Sequence, residues 1–516
     1  MKKISSLLAL SMMAFSLFSC ESYLDINENP NQATSSSAQQ VLPNALTSTA
    51  ATIVSYHDYG AQVAGYQANA YGWGGQGPEL TYNYTTTNWT TLWSRAYDNL
   101  TDYDYIERTT KADEAMAYYN AIAKIMKAHN FQLLVDQYGD IPYKEALNGG
   151  DNITPAYEKA ENIYQDLVVQ LDSAVYIINN SENANAVASG DVMFKGDMDQ
   201  WIAFANTLKL RMLLRMSGVA ELSSFVNERF ATFGSNPAFL TQDAIVQPGY
   251  TTSGNKKNPM WMMYHTDAAG SAAQNGRARI ATDFILDFYN GRISDTFRGT
   301  VTYNSFPNTA SNQLGVTGED IDEAPSGSVW YTSANEAGIL KSATMGQPIL
   351  LASESYFLQA EAFLKGYLAG NAEAAYEEGV EESFTYLYKN AAGTVIASLN
   401  PAADAAKYFA ANEGSRLVDF EAAGTETEKL EAIITQKYIA LNFIHGHEAW
   451  SEFRRTGYPT ITSSSTFAST QSTSTRPDRL PVRLLYPNTE YQYNQNNVPS
   501  GGSVNQFTTN IFWDLD

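Results

Sequence analysis

The segment from Glu426 to Pro459 constrains the fold more than any other part of the chain. Leu430, Ile433, Ile434, Leu441, Ile444 and Phe453 recur at spacings of three, four and seven, which lays a broad apolar stripe along one side of a helix. Thr425 with Glu428 makes a capping box at its start, and Gly457 with Pro459 stops it. Arg454 and Arg455 fall in the last turn, where cations suit the helix dipole. About thirty residues at ~1.5 Å each form a rod of about 45 Å, long enough to cross a whole domain. The segment therefore predicts a mainly α chain with this rod as its central packing helix.

Further helices are expected on either side. Two amphipathic helices run from about Trp89 to Tyr138 with a break near Thr109-Thr110-Lys111, and others cover Pro155–Asn180 and Asp197–Met216. Lys209, Arg211 and Arg215 on the last of these read as a solvated or salt-bridged face. Met345–Tyr388 reads as a helical hairpin turning at Gly370-Asn371, with the small crossing residues that a degenerate tetratricopeptide-type pair needs. Between them, residues 233–342 are rich in Gly, Ser, Thr, Asn and Pro and lack sustained periodicity. Irregular inserts of that length in a compact chain usually carry function. Trp261, Tyr264, Trp330 and Tyr331 are its candidate surface aromatics.

Residues 56–105 hold nine tyrosines and three tryptophans but no phenylalanine. A core would mix in Phe, whereas Tyr and Trp join a flat apolar face to a hydrogen-bonding tip. That pairing suits a sugar ring, which has C–H groups on its face and hydroxyls at its edge. The turn Gly72-Trp73-Gly74-Gly75-Gln76-Gly77-Pro78 can present Tyr71 and Trp73, while Trp93 and Tyr97 are assigned to the core. Gly72, Gly74 and Gly77 match G-x-G-x-x-G formally, but no apolar strand precedes them and Pro78 follows, so a dinucleotide site is rejected.

The first residues set the compartment. Lys2 and Lys3 precede an apolar run from Leu7 to Phe18, too short for a comfortable membrane span, which reads as a secretory signal peptide. It ends Leu17-Phe18-Ser19-Cys20, similar to a bacterial lipobox, so Cys20, the only cysteine, is the expected acylated residue and lipid anchor. Removing residues 1–19 takes away two lysines and no acid, deepening the formal charge from −23 to −25. Such a surface repels phosphate backbones and argues against nucleic-acid partners.

Catalytic signatures are sparse. His445 and His447, two apart on a helix, would point in different directions and could not share a metal. His447-Glu448 fails H-E-x-x-H because residue 451 is Ser. Asp25-x-Asn27-x-Asn29 fails as a calcium loop because Pro30 stands where glycine is needed. No G-x-S-x-G occurs, and no thiol is left once Cys20 is acylated. Paired carboxylates for glycoside hydrolysis stay open, because 55 acids offer many pairs. No cofactor, metal or catalytic residue is assigned.

Several motifs carry a family resemblance. They are Gln436-Lys437-Tyr438-Ile439-Ala440-Leu441, Glu448-Ala449-Trp450, Arg454-Arg455-Thr456-Gly457-Tyr458-Pro459, Asp136 to Tyr143, and Arg483-Leu484-Leu485-Tyr486-Pro487 with Glu490 and Asn494. Together they resemble the SusD/RagB family of Bacteroidetes outer-membrane nutrient-binding lipoproteins. The resemblance implies a scaffold of helical pairs with projecting loops, a SusC-like TonB-dependent transporter as partner, and a role as its lid. Acidic Glu21, Asp25 and Glu28 after the anchor resemble the surface-export signal of such proteins. On this reading residues 1–19 are the signal peptide and 20–516 one SusD-like domain. Within it, 20–36 is a tether, 37–232 and 343–459 the scaffold, 233–342 the insert and 460–516 an extended tail. A glycan is the expected ligand, with Tyr71, Trp73, Trp89, Trp330 and Tyr331 as candidate contacts. An oligopeptide ligand as in the RagB branch, a surface glycosidase and a purely structural protein remain as alternatives.

Overall fold

Nine helices of the computed structural model suffice to place the site, among described residues 36–73, 77–332 and 336–515. Helix α1 is Ala38–Val63, α2 Thr90–Thr110, α3 Ala117–Tyr138, α4 Ala160–Asn179 and α5 Met198–Met216. After the insert come α6 Ala352–Leu364, α7 Ala372–Tyr388, α8 Glu426–Ala440 and α9 Gly446–Thr456. Each packs on the next in series from α2 to α5, α6 pairs with α7, and α8 lies against α6. The chain is mainly α, as its periodicity implies. Cys20, the signal peptide, the calcium-like segment and nearly all of the tether lie outside the described residues, as do Gly74, Gly75 and Gln76.

The expected single rod is two helices. The capping box forms, with Glu428 N–H on Thr425 Oγ1 at 3.2 Å and Thr425 N–H on Glu428 Oε2 at 3.1 Å. The helix then ends at Ala440, and Phe443 takes a left-handed backbone (φ 53°) before α9 begins at Gly446. A residue other than Gly in that region is disfavoured by roughly 1–2 kcal/mol, so packing must impose it. The Phe443 ring stacks on Trp330 at 3.3 Å between centroids and meets His57 and Tyr264 edge-on. The break also swings Gly446 against Gly60 of α1, where the two backbones touch with no side chain between them. Apolar residues keep helical phase across the break, so spacing alone does not reveal it.

Breaking the helix also changes the relation of His445 to His447. His445 precedes α9, and the two rings lie 5.7 Å apart instead of on separate faces. His445 Nε2 is engaged by the carbonyl of Pro348 at 3.1 Å. Among the described residues no group of three or more His, Cys, Asp or Glu could hold a metal.

A charge network fills the space between α3, α5, α6, α8 and α9. Arg215 binds Asp136 and Glu448, and Arg211 reaches Glu354 at 2.7 Å and Glu448 at 3.5 Å. Lys437 lies 3.5–3.8 Å from Glu354, Glu452 and Glu448, and Arg455 clasps Glu361 and Glu452 at 2.6 Å. All of these residues are buried except Arg455, whose side chain is nonetheless only 6% exposed. Of the two readings of Lys209, Arg211 and Arg215, the salt-bridged one holds and the solvated one does not. A charge withdrawn from water is tolerated only when opposite charges and hydrogen bonds surround it.

The chain's last segment staples the C-terminal end of α3. Leu484 N–H donates to Gln137 O at 2.9 Å, Arg483 to Tyr138 O, and the Tyr486 hydroxyl to Asp140 O at 2.6 Å. Gly139 (φ 73°) leaves room for Arg483, whose Nη1 would sit 3.1 Å from an added Cβ. The motifs that suggested the family therefore meet in the interior. The insert is less irregular than its composition suggests, since it holds helices at 259–264, 283–290 and 296–302. Asp295 caps the last of these and pairs with Arg298 at 2.5 Å, fully buried.

Candidate functional site

Strand β1, Gln67–Asn69, pairs antiparallel with a strand of the insert, Arg279–Thr282, so that Asn69 faces Arg279. The pairing continues one step as Ala70 N–H reaches Ala278 O at 2.9 Å. This register sets the exit of β1, carrying Tyr71 and Trp73, beside the helical turn that carries Arg277. Tyr71 N–H is held by Asp322 O at 2.9 Å, which draws in the loop bearing Glu323. Gly72 takes the positive φ (75°) that the turn between the two aromatics requires.

The result is an open groove of about 490 Å³ walled by Tyr71, Trp73, Arg277, Glu323, Pro325 and Ser326. Tyr71 is 39% exposed, and the Arg277 guanidinium lies 5.8 Å from the centre of the Trp73 ring. A cation over an indole face is attracted by the negative face of the ring. Tyr71, Trp73, Arg277 and Glu323 come from three chain segments, and their chemistry is complementary: two aromatic faces, a donor fork and an acceptor. Its volume falls within the range of small-ligand sites.

Beside the groove, Trp261, His265 and Tyr331 form a second aromatic group. Trp261 stacks on His265 at 4.0 Å, and Tyr331 meets His265 edge-on at 4.3 Å. Burial and the nearby Lys257 hold the His265 imidazole below its usual pKa. Gly327, next to Ser326 of the groove, has φ 95° and leaves space for that ring, since a Cβ there would lie 2.9 Å from His265 Nε2.

The family profile described as "SusD-like, starch-binding associating with outer membrane" matches residues 30–487. The chain belongs to the SusD-like family. Among solved structures it resembles a SusD homolog from Bacteroides uniformis at 23% identity and TM-score 0.67, covering 92% of this chain and 99% of that one. A chitin-binding protein matches at 25% identity and TM-score 0.66, covering 93% and 99%. A chitin-binding SusD homolog from Flavobacterium johnsoniae matches at 22% identity and TM-score 0.67, covering 92% and 99%. Individually curated proteins give no significant match.

Within this SusD-like chain the five aromatics named from sequence do not share one place. Tyr71 and Trp73 line the groove together. Tyr331 belongs to the neighbouring cluster, and half-buried Trp89 packs edge-on against Tyr59 at 5.3 Å. Trp330 has no exposed surface, because Phe443 covers its face and the core encloses it. It is a core residue, not a ligand contact. Tyr264 and Trp261 are likewise buried, and Tyr264 donates to Asp58 at 2.6 Å. Trp93 and Tyr97 pack as expected, with the Tyr97 hydroxyl on Pro142 O at 2.7 Å. Sequence reasoning missed Arg277 and Glu323, each about 200 residues or more along the chain from Trp73, and no local pattern marks either one.

Proposed function

We propose that the protein captures oligosaccharides at the groove formed by Tyr71, Trp73, Arg277 and Glu323, and passes them to a SusC-like TonB-dependent transporter that it covers as a lid. The observation that carries this reading is the pairing of two aromatic rings with a guanidinium and a carboxylate on one open surface. Aromatic faces take the C–H side of a pyranose, while Arg and Glu take its hydroxyls. The groove's openness suits a chain passing through better than a single enclosed sugar. Relatives described as chitin-binding point to N-acetylglucosamine oligomers as the first ligands to try, and the family description points to starch. Acylated Cys20 would supply attachment to the outer membrane, facing outward. The helical pairs, read as degenerate tetratricopeptide repeats, would supply the rigid frame. The reading is of a binding protein and not an enzyme, in keeping with how these relatives are described.

Calorimetric titration with chito-oligosaccharides, malto-oligosaccharides and an oligopeptide series tests it. We expect saturable binding of a glycan, with Trp73→Ala lowering affinity about tenfold, in line with the loss of one ring contact. Peptide binding alone would favour the oligopeptide alternative. Glycan affinity untouched by both Trp73→Ala and Tyr71→Ala would remove the groove from the account.

A further inference from the structure

A second cavity, of about 550 Å³, lies away from the aromatic groove and is built around lysines. Its lining includes Ile245 of strand β2 (Ala244–Val246), which runs antiparallel to β3 (Gln347–Leu350) with a register shift between Ala244 and Ile245. Such irregularities re-aim side chains and tend to occur beside sites. Its wall is the C-terminal end of α7 with Tyr386 and Lys389, and Lys195 stands exposed at the rim.

Lys341 lines this cavity although only 5% of the residue is exposed. Its ammonium donates to the carbonyls of Tyr386 at 2.8 Å and Lys389 at 2.7 Å, and lies 4.6 Å from the centre of the Tyr386 ring. Part of this is helix capping, since a cation suits the C-terminal end of α7. Capping accounts for two of the three donors of an ammonium and supplies no countercharge. Among the described residues Lys341 forms no ion pair, although the charge of Asp243 acts on it from beyond contact distance. Asp243 is already occupied on both oxygens, by Lys389 at 2.9 Å and by the Ala352 N–H at 3.0 Å. A buried ammonium without an anion is held at a disadvantage, and here burial lowers its pKa to about 7. In a chain of formal charge −23, a cavity edged by Lys195, Lys341 and Lys389 runs against the mean field.

We propose that this cavity is a second binding site, separate from the aromatic groove, for a carboxylate-bearing small molecule of monosaccharide size held by Lys341 and Lys195. With Lys389 and Asp243 cancelling, the two remaining amines match a monoanion better than a phosphate dianion, which would also face Asp243. The cavity far exceeds a bare carboxylate, and Gln242, Asn390 and Tyr386 on its walls offer partners for the body of a ring. Anion binding favours the protonated amine, so it draws a proton onto Lys341 near neutral pH. The charged groups that act on that amine are Asp243 before β2 and Lys389 at the end of α7, with the Tyr386 ring beside it, while Lys195 stands at the cavity rim. Glu382, one turn back on α7, is raised to about 7 by burial and Asp243. It gains negative charge over the same range and pushes the anion out in the same direction.

The test is calorimetry of the full chain with glucuronate, glucose and 4-hydroxybenzoate, in two buffers of different ionisation enthalpy. We expect glucuronate to bind with proton uptake and glucose not to bind. Affinity should fall about tenfold per pH unit above 7. Lys341→Met should weaken glucuronate at least tenfold, Lys195→Gln several-fold, and Arg277→Gln in the aromatic groove not at all. Hydroxybenzoate binding with the same lysine dependence would support the carboxylate site and assign its body to an aromatic acid. Absence of saturable binding by either carboxylate, binding insensitive to pH and to Lys195→Gln, or loss through Arg277→Gln would overturn the proposal. The Lys195 and pH arms decide the matter even where Lys341→Met does not fold.

Discussion

Replacing Gly60 by alanine separates local helix propensity from tertiary contact, because the two predict opposite signs. Gly60 lies near the end of α1 with an ordinary helical backbone, so propensity alone favours alanine by about 1 kcal/mol. A Cβ at that position would stand 2.0 Å from His447 N, 2.3 Å from Gly446 C and 2.4 Å from His447 Cα. These are backbone atoms of α9, which cannot rotate away as a side chain would. Restoring ordinary contact at about 3.4 Å requires α9 to retreat by roughly 1.4 Å. A shift of that size stretches the two bonds of Arg455 on α9 to Glu361 on α6, at 2.7 and 2.6 Å, towards 4 Å, beyond hydrogen-bonding range. Each charged hydrogen bond contributes about 1.5–3 kcal/mol, and overpacking itself costs about 1–3 kcal/mol. The net expectation is a loss of at least about 3 kcal/mol, read as a lower urea midpoint at unchanged slope. A Gly60→Ala protein that is as stable as the parent, or more so, would refute the claim that α1 and α9 meet backbone to backbone.

Three further outcomes follow from the interior. Burial holds His57 and His129 down to about 3, so between pH 6.5 and 3 the unfolded chain takes up protons that the fold refuses. Their stabilisation is complete above pH 6.5 and is lost on acidification at about 1.4 kcal/mol per pH unit each, with His445 and His447 acting in the same direction; urea unfolding at pH 7.5 and 5.5 measures the difference. Glu361→Gln leaves Arg455 short of one of its two carboxylates and should lower stability by about 3–5 kcal/mol in the same assay, with Arg455→Met restoring part of it. Trp330→Ala empties a core position and should cost about 3–5 kcal/mol in unfolding while leaving glycan affinity in the folded fraction unchanged.

What could be read from the sequence was local. Apolar spacing located the helices because a stripe such as Ile163, Leu167, Leu171 and Ile178 faces the core whatever its partner is. The capping residues Thr425 and Glu428 act within one turn and were equally legible. The break between α8 and α9 was not, since Leu441 and Ile444 keep helical phase while the event that decides it, Gly446 meeting Gly60, joins residues far apart. Burial of Arg211 and Arg215 was hidden for the same reason, because their carboxylates come from α3, α6 and α9. Tyr71 and Trp73 stood out by composition, but Trp330 beside Tyr331 had no signal of its own fate. Its cover, Phe443, belongs to a turn that the spacing had placed inside a helix.

The network also bears on why the motifs that announce the family say little about what is bound. Asp136, Lys437, Glu448 and Arg455 sit in those motifs, and each is buried, or nearly so for Arg455, among opposite charges. Removing one member strands its partners in a medium that solvates them poorly, at about 3–5 kcal/mol, a large part of a typical protein's stability. The groove works under the opposite condition. Tyr71, Arg277 and Glu323 are exposed and project from loops whose backbone is fixed by strand pairing and by the Tyr71–Asp322 bond. On the proposed reading, exchanging them alters what the groove can hold while leaving the interior untouched, since surface changes away from such features usually stay within about 0.5 kcal/mol. On that reading a scaffold locked by paired interior charges can carry many ligand chemistries, and specificity is to be sought at residues such as Arg277 that no scaffold motif contains.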